Sequence, residues 1–178
     1  MGMKYLKKIL LLLLLLLMIG GCAKEPEEEV KEGSYDSIKL RDTIEKFNNN
    51  ETFAVFLHQT ACPYCREAEP VFRDFVISHG YQAYELNFTE AYKNEAEYYS
   101  ADKDILFKII DEVLRWDDEW QEYTLFVPEF VFVKDGKIVY EHCGTVDTHD
   151  PYEAPMTEAE IKELEGYFAE GFRLMYEE

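Results

Sequence analysis

Cys62 and Cys65, separated by Pro63-Tyr64, are the residues of this chain best suited to chemistry. An apolar run, Phe53 to Leu57, leads into them, and an amphipathic run continues from Cys65 to about Ser78. That pattern puts the pair at a strand-to-helix junction, with the first sulfur at a helix N-terminus. There the unpaired backbone N–H groups and the helix dipole favour negative charge. The thiolate is the reactive form of cysteine, so such a position activates it. The CxxC spacing also lets the second thiol reach the first and close a small disulfide. The stretch reads as a dithiol/disulfide redox site, Cys62 as nucleophile and Cys65 as the shielded resolving thiol. The bland reading is an inert structural disulfide.

The remaining residues must position that pair. The 178 residues suggest one domain with appendages. With 47% hydrophobic residues the chain can build a sizeable core. The formal net charge is -19. So acidic a surface repels phosphate backbones, which argues against nucleic acid as a partner, and it repels anionic lipid as well. Membrane attachment therefore needs another device, and the N-terminus offers one. Lys4, Lys7 and Lys8 precede the apolar run Ile9 to Ile19, which is too short for a transmembrane helix and the right length for a signal-peptide core. The run ends in Ile19-Gly20-Gly21-Cys22, which resembles a bacterial lipobox. Residues 1–21 are expected to be a lipoprotein signal peptide, Cys22 the lipidated residue, and 22–35 an acidic tether. The alternative is an ordinary secretory signal. Loss of the leader leaves 15 of the 18 basic residues against 37 acidic ones. Export places the protein where disulfides persist. With Cys22 consumed by lipid, Cys143 has no obvious partner.

Taken in order, Leu40, Ile44 and Phe47 mark a first helix, capped by Asp36 or Ser37 and ended by Asn48-Asn49-Asn50. Thr52 to Leu57 is a buried strand, and His58 to Ala61 the loop into the CxxC. Pro70 falls inside the next helix, where a kink is expected, and Gly80 ends it. Tyr81 to Phe88 is a second strand, with Leu86 and Phe88 on one side. Residues 89–123 read as two helices, capped in the middle by Ser100 or Asp102. Trp116 to Gln121 reads as an acidic loop. Its two tryptophans either fold back onto the core, the reading preferred here, or face a partner. Pro128 opens a strand, Asp135-Gly136 turns it into a hairpin, and Gly144 follows the second strand. Thr157 and Glu160 form a capping box ahead of the stripe Ile161, Leu164, Phe168, Phe172 and Met175.

This order and these residues resemble the thioredoxin fold: α/β, a central mixed sheet flanked by helices, here with a helical insertion at about 89–126 ahead of the proline. Residues 36–178 would form the domain. Pro70, five residues after Cys65, matches the family's active-site helix kink. Val127-Pro128 matches its cis-proline, and Gly144 a glycine lining the substrate face. The resemblance implies a thiol-disulfide oxidoreductase without cofactor or metal, with Pro63, Tyr64, Val127, Pro128 and Gly144 contacting substrate. The partners implied are exported proteins or peptides carrying thiols or disulfides, and a membrane redox partner. The leader and the Thr60-Ala61-Cys62-Pro63-Tyr64-Cys65 context look most like Gram-positive thioredoxin-like proteins known as bacteriocin transport accessory proteins. Such a protein works on the extracytoplasmic face of the cell membrane. Two departures stand out. Phe56 occupies the position of the family's buried acid, and Ala61 that of its tryptophan. Oxidase, reductase and isomerase remain open, as does a non-catalytic accessory or binding module.

Three further expectations concern single residues. Cys143 is a possible third exchange thiol or a small buried residue, the latter preferred. His58 stands four residues before Cys62 and could act on a thiol. His142 should face the opposite side of its strand from Cys143, while His79 and His149 look like loop residues. A metal site of Cys62, Cys65, Cys143 and a histidine is weakly supported by a lone CxxC.

Overall fold

In the computed structural model, which describes residues 33–177, five strands form one mixed sheet. They are β1 (Ser34–Ser37), β2 (Phe53–His58), β3 (Gln82–Asn87), β6 (Glu129–Lys134) and β7 (Lys137–Cys143), in the order β1-β3-β2-β6-β7. The first three run parallel, and β6 and β7 pair antiparallel. The leader, Cys22 and most of the tether lie outside the described residues.

The sheet is covered on both faces, and this dictates the sequence of its central strands. All six positions of β2 are buried, which is why it reads as continuously apolar rather than alternating. Ala54 and Phe56 enter one core, with α2 (Pro63–Ser78) and α5 (Glu158–Tyr176) packed over them. Val55 and Leu57 enter the other, beneath α1 (Leu40–Asn48), α3 (Phe88–Asn94) and α4 (Tyr99–Ile109). In the first core Phe72 packs against Phe56, Phe130 and Phe168. Fully burying each such ring contributes roughly 1.5–3 kcal/mol. The turn between β6 and β7 places Asp135 at φ 50° and Gly136 at φ 73°, as the expected Asp-Gly hairpin requires. A Cβ at Gly136 would also come within 2.8 Å of the Phe47 carbonyl. The capping box of Thr157 and Glu160 opens α5.

Several expectations are corrected. Asp36 and Ser37 do not cap α1. They belong to edge strand β1, and Lys39 precedes α1 without a side-chain cap. Ser34 and Tyr35, read as the end of the tether, start that strand. Phe88 is not a strand residue, because Asn87 caps α3 through its side chain and Phe88 begins the helix. Neither Ser100 nor Asp102 caps α4. Asp102 is buried inside it and pairs with Arg41 of α1 at 3.0 Å. The helix expected to run on through Pro70 does so, from Pro63 to Ser78. The insertion is not wholly helical: β4 (Arg115–Asp117) and β5 (Glu122–Thr124) form a separate two-stranded ribbon. On it Trp116 is 48% exposed and Trp120 70%, so neither folds back onto the core. Trp116 instead packs edge-on against Tyr123 across the ribbon, at 5.4 Å. Among the described residues no helix is long and apolar enough to cross a membrane.

Candidate active site

Cys62 caps α2. Its backbone is extended, Pro63 takes the first helical position, and the Cys65 N–H points at Cys62 Sγ from 3.1 Å. Proline suits that position because its ring presets a helical φ and its missing N–H would have had no intrahelical partner. The Cys62 N–H donates to the Gln59 carbonyl at 3.2 Å. The Cα atoms of Cys62 and Cys65 are 5.2 Å apart and the two sulfurs are joined as a disulfide. Cys65 is buried in the first core, whereas Cys62 is half-buried at its edge. Of the two sulfurs, the one at the cap is therefore the one that can meet a partner.

The opposite wall is the end of β6. The Val127-Pro128 peptide is cis. The Val127 carbonyl oxygen lies 3.5 Å from Cys62 Sγ. The Pro128 carbonyl accepts the Gly144 N–H at 2.8 Å, and Gly144 has φ 90°. Cys62, Cys65, Pro63, Tyr64, Val127, Pro128 and Gly144 thus stand at one end of the sheet. Tyr64 meets His149 and Tyr152 edge-on, at 6.4 and 6.5 Å between ring centroids. His149, read as an ordinary loop residue, is buried there with no hydrogen bond to Nε2.

The other named residues go elsewhere. His58 is buried, stacks on Phe56 and bonds Glu85 Oε2 at 2.8 Å, so its polar edge is committed to a carboxylate. The His58 bond, with Ser37 adding to it, holds Glu85 below the usual carboxylate range despite its partial burial. His142 turns away from Cys143, donates to the Thr145 carbonyl at 2.6 Å and stacks on Tyr167. Burial lowers its pKa. His79 stacks on Phe75, with Tyr81 parallel to it nearby. Phe56 shares the first core with Cys65, stacked on Phe130, where an acid would have stood.

An acid does lie nearby, on the other face of the sheet. Glu129, directly after Pro128, is 0% exposed. Arg115 of the ribbon bridges it at 2.6 Å and bridges Glu141 of β7 at 2.8 Å. Burial, then the neighbouring Glu141, push Glu129 up to about 8 against the pull of Arg115. For Glu141 the bonds to Glu129 and Arg115 outweigh burial and hold it low. Cys143 pairs with Glu129 across the strands, and its thiol is directed at the Phe126 carbonyl, 3.9 Å away. Burial, then Glu129, push that thiol up to about 12. A thiol so held is a poor nucleophile, which favours the structural reading of Cys143. Glu129 carries no local signal, because it sits inside an apolar strand and its partner comes from a distant ribbon. Among the described residues no group of three or more His, Cys, Asp or Glu is placed to hold a metal ion.

No family profile and no curated protein sequence matches the chain. Solved structures similar to it include the thioredoxin of Malassezia sympodialis, at 16% identity and a TM-score of 0.43, covering 79% of this chain and 99% of that one. Thioredoxin f of spinach chloroplast is similar at 14% identity and a TM-score of 0.40, covering 64% of this chain and 84% of that one. The thioredoxin preprotein of Schistosoma mansoni is similar at 15% identity and a TM-score of 0.38, covering 74% and 98%. These are distant likenesses of shape. The architecture is defined by the strand order, the cysteine pair capping α2 and the cis-proline opposite it.

Proposed function

We propose that this chain, a thioredoxin-like fold with a CxxC pair, is a lipid-anchored thiol-disulfide oxidoreductase acting on exported proteins or peptides. One observation carries the reading: Cys62 Sγ stands at the first turn of α2, facing the Cys65 N–H at 3.1 Å and the Val127 carbonyl at 3.5 Å. In the reducing direction the Cys62 thiolate attacks a substrate disulfide. A Cys62–substrate bond forms and the first substrate sulfur leaves with the electron pair, taking up a proton. Cys65 then loses its proton and attacks Cys62, and the second substrate thiolate leaves. The Cys62–Cys65 disulfide results, and the substrate has gained two electrons and two protons. The same steps reversed oxidise a substrate dithiol. Cys62 is the entry sulfur because it is the more exposed of the pair and lies at the helix N-terminus.

The anchor and the extracytoplasmic location rest on the leader and Cys22. Growing cells with labelled palmitate tests them: label should enter the wild-type protein and not the Cys22→Ala form. Label in both, or in neither, would remove the anchor. The exchange reading is tested by Cys62→Ser, which should abolish disulfide exchange, and Cys65→Ser, which should accumulate mixed disulfides with substrate. Full exchange by Cys62→Ser would refute the assignment.

A second reading, a non-catalytic accessory or binding module, is favoured by the exposed aromatics of the β4–β5 ribbon. It predicts that Cys62→Ser keeps its function in cells.

A further inference from the structure

A cavity of about 130 Å³ opens beside Cys62, and the insertion supplies most of its walls. Phe88, Tyr99 and Phe107 give it aromatic walls, Gln59, Lys103 and Thr124 give it polar ones, and Thr124 and Leu125 close it from the ribbon side. Two of its walls are Gln59 and Val127. Both touch the reactive cysteine: the Gln59 carbonyl accepts the Cys62 N–H at 3.2 Å, and the Val127 carbonyl lies 3.5 Å from Cys62 Sγ. A chain whose cysteine met Cys62 would therefore carry its neighbouring side chain over this opening. The volume suits one side chain and no cofactor. Drug-sized ligands need roughly 300 Å³ or more.

Charge restricts the occupant further. Lys103 lines the same cavity, its ammonium 5.2 Å from the Phe107 ring centroid. The molecule as a whole is strongly acidic and draws basic peptides toward it. The one charged residue of this lining is basic, so a Lys or Arg side chain entering it meets like charge and no carboxylate.

We propose that this cavity is a specificity pocket, which accepts an aromatic side chain next to the reacting cysteine of a polypeptide substrate and rejects a basic one. The inference rests on the exchange reading above and names its substrate class. A larger cleft of about 460 Å³, lined by residues such as Ser37, Glu85, Asn87 and Glu90, includes none of the residues named as touching Cys62.

The test uses reduced Cys65→Ser protein and short blocked peptides whose single cysteine is held as a mixed disulfide with thionitrobenzoate. The Cys62 thiolate attacks the peptide sulfur, the Cys62–peptide bond forms, and the coloured thionitrobenzoate anion leaves with the electron pair. Phe, Ala or Arg is placed beside the cysteine, on each side in turn. On one side the Phe peptide should react at least tenfold faster than the Ala peptide, and the Arg peptide no faster than Ala. Thr124→Trp, which fills the cavity, should bring the Phe-to-Ala ratio within about threefold of unity. Lys103→Glu should raise the Arg peptide above Ala. Phe and Ala rates within threefold in the unfilled pocket, or a Phe preference that survives Thr124→Trp, would overturn the pocket and leave the exchange reading standing. No release from any peptide would overturn the exchange reading, and the pocket with it.

Discussion

Arg115 joins the insertion to the strand that follows the cis-proline by donating a hydrogen bond of 2.6 Å to the wholly buried carboxyl group of Glu129. Arg115 also holds Glu141, so one guanidinium fastens β4 to both β6 and β7. Replacing Arg115 by Leu should lower stability by about 1–3 kcal/mol, the usual cost of stranding a buried acceptor. The loss should be larger at pH 9 than at pH 6, because Glu129 sheds its proton above about 8 and its charge then lacks a counter-ion. Urea unfolding at the two pH values checks this. An equal loss at both would contradict it.

Glu129 also sets the sign of a pH dependence. Its folded pKa is raised to about 8 from an ordinary 4.5. The folded state therefore keeps a proton that the unfolded chain has released. This contribution is complete below about 4.5 and is lost as pH rises through about 8. Glu129→Gln, neutral at every pH, should flatten the fall of stability between pH 5 and pH 8. Parallel stability curves for the two proteins would contradict the buried proton.

Cys143 should react slowly while the protein is folded. With its thiol pushed up to about 12 rather than the ordinary 9.0, the thiolate fraction at pH 8 drops on the order of 10³-fold. Iodoacetamide should therefore label Cys143 of the Cys62→Ser/Cys65→Ser protein about that much more slowly in buffer than in urea. Labelling at equal rates would restore Cys143 as an exchange thiol.

Two glycines of α5 should respond to alanine with opposite signs. A Cβ at Gly166 meets nothing within 4 Å, so Gly166→Ala should stabilise by roughly 0.5–1 kcal/mol through helix propensity. At Gly171 a Cβ would come within 2.5 Å of the Phe132 ring, which is fully buried and has little room to move. Gly171→Ala should cost roughly 1–3 kcal/mol. Thermal or urea unfolding distinguishes them, and a gain at both positions would mean that the α5–β6 contact is looser than described.

What the sequence revealed about this fold was what nearby residues decide. The CxxC cap, the Asp135-Gly136 turn, the Thr157–Glu160 box and the apolar run of β2 each have their causes within a few residues. What it concealed depends on distant partners. β1 is four residues long, carries Tyr35 as its one large apolar side chain, and exists because it pairs with β3. Asp102 looks like a cap until Arg41, far away in the chain, is seen to hold it. Trp116 looks like a core residue until the ribbon lets Tyr123 cover part of it in solvent. Glu129 is hidden in an apolar strand for the same reason. At the site, the cysteines and the proline were legible, while Glu129, His149 and the walls of the small cavity were not.

Cys62 and Cys65 should form a reversible dithiol entered through Cys62. This is tested most directly by equilibrating the protein in glutathione or dithiothreitol buffers of graded potential and counting free thiols by alkylation and mass. One two-electron transition of this pair is expected, with a midpoint between about −120 and −270 mV, where dithiol oxidants and thioredoxin-like reductants lie. Cys62→Ser should abolish the transition. A pair that stays oxidised or reduced across the whole range, or exchange that persists in Cys62→Ser, would contradict it.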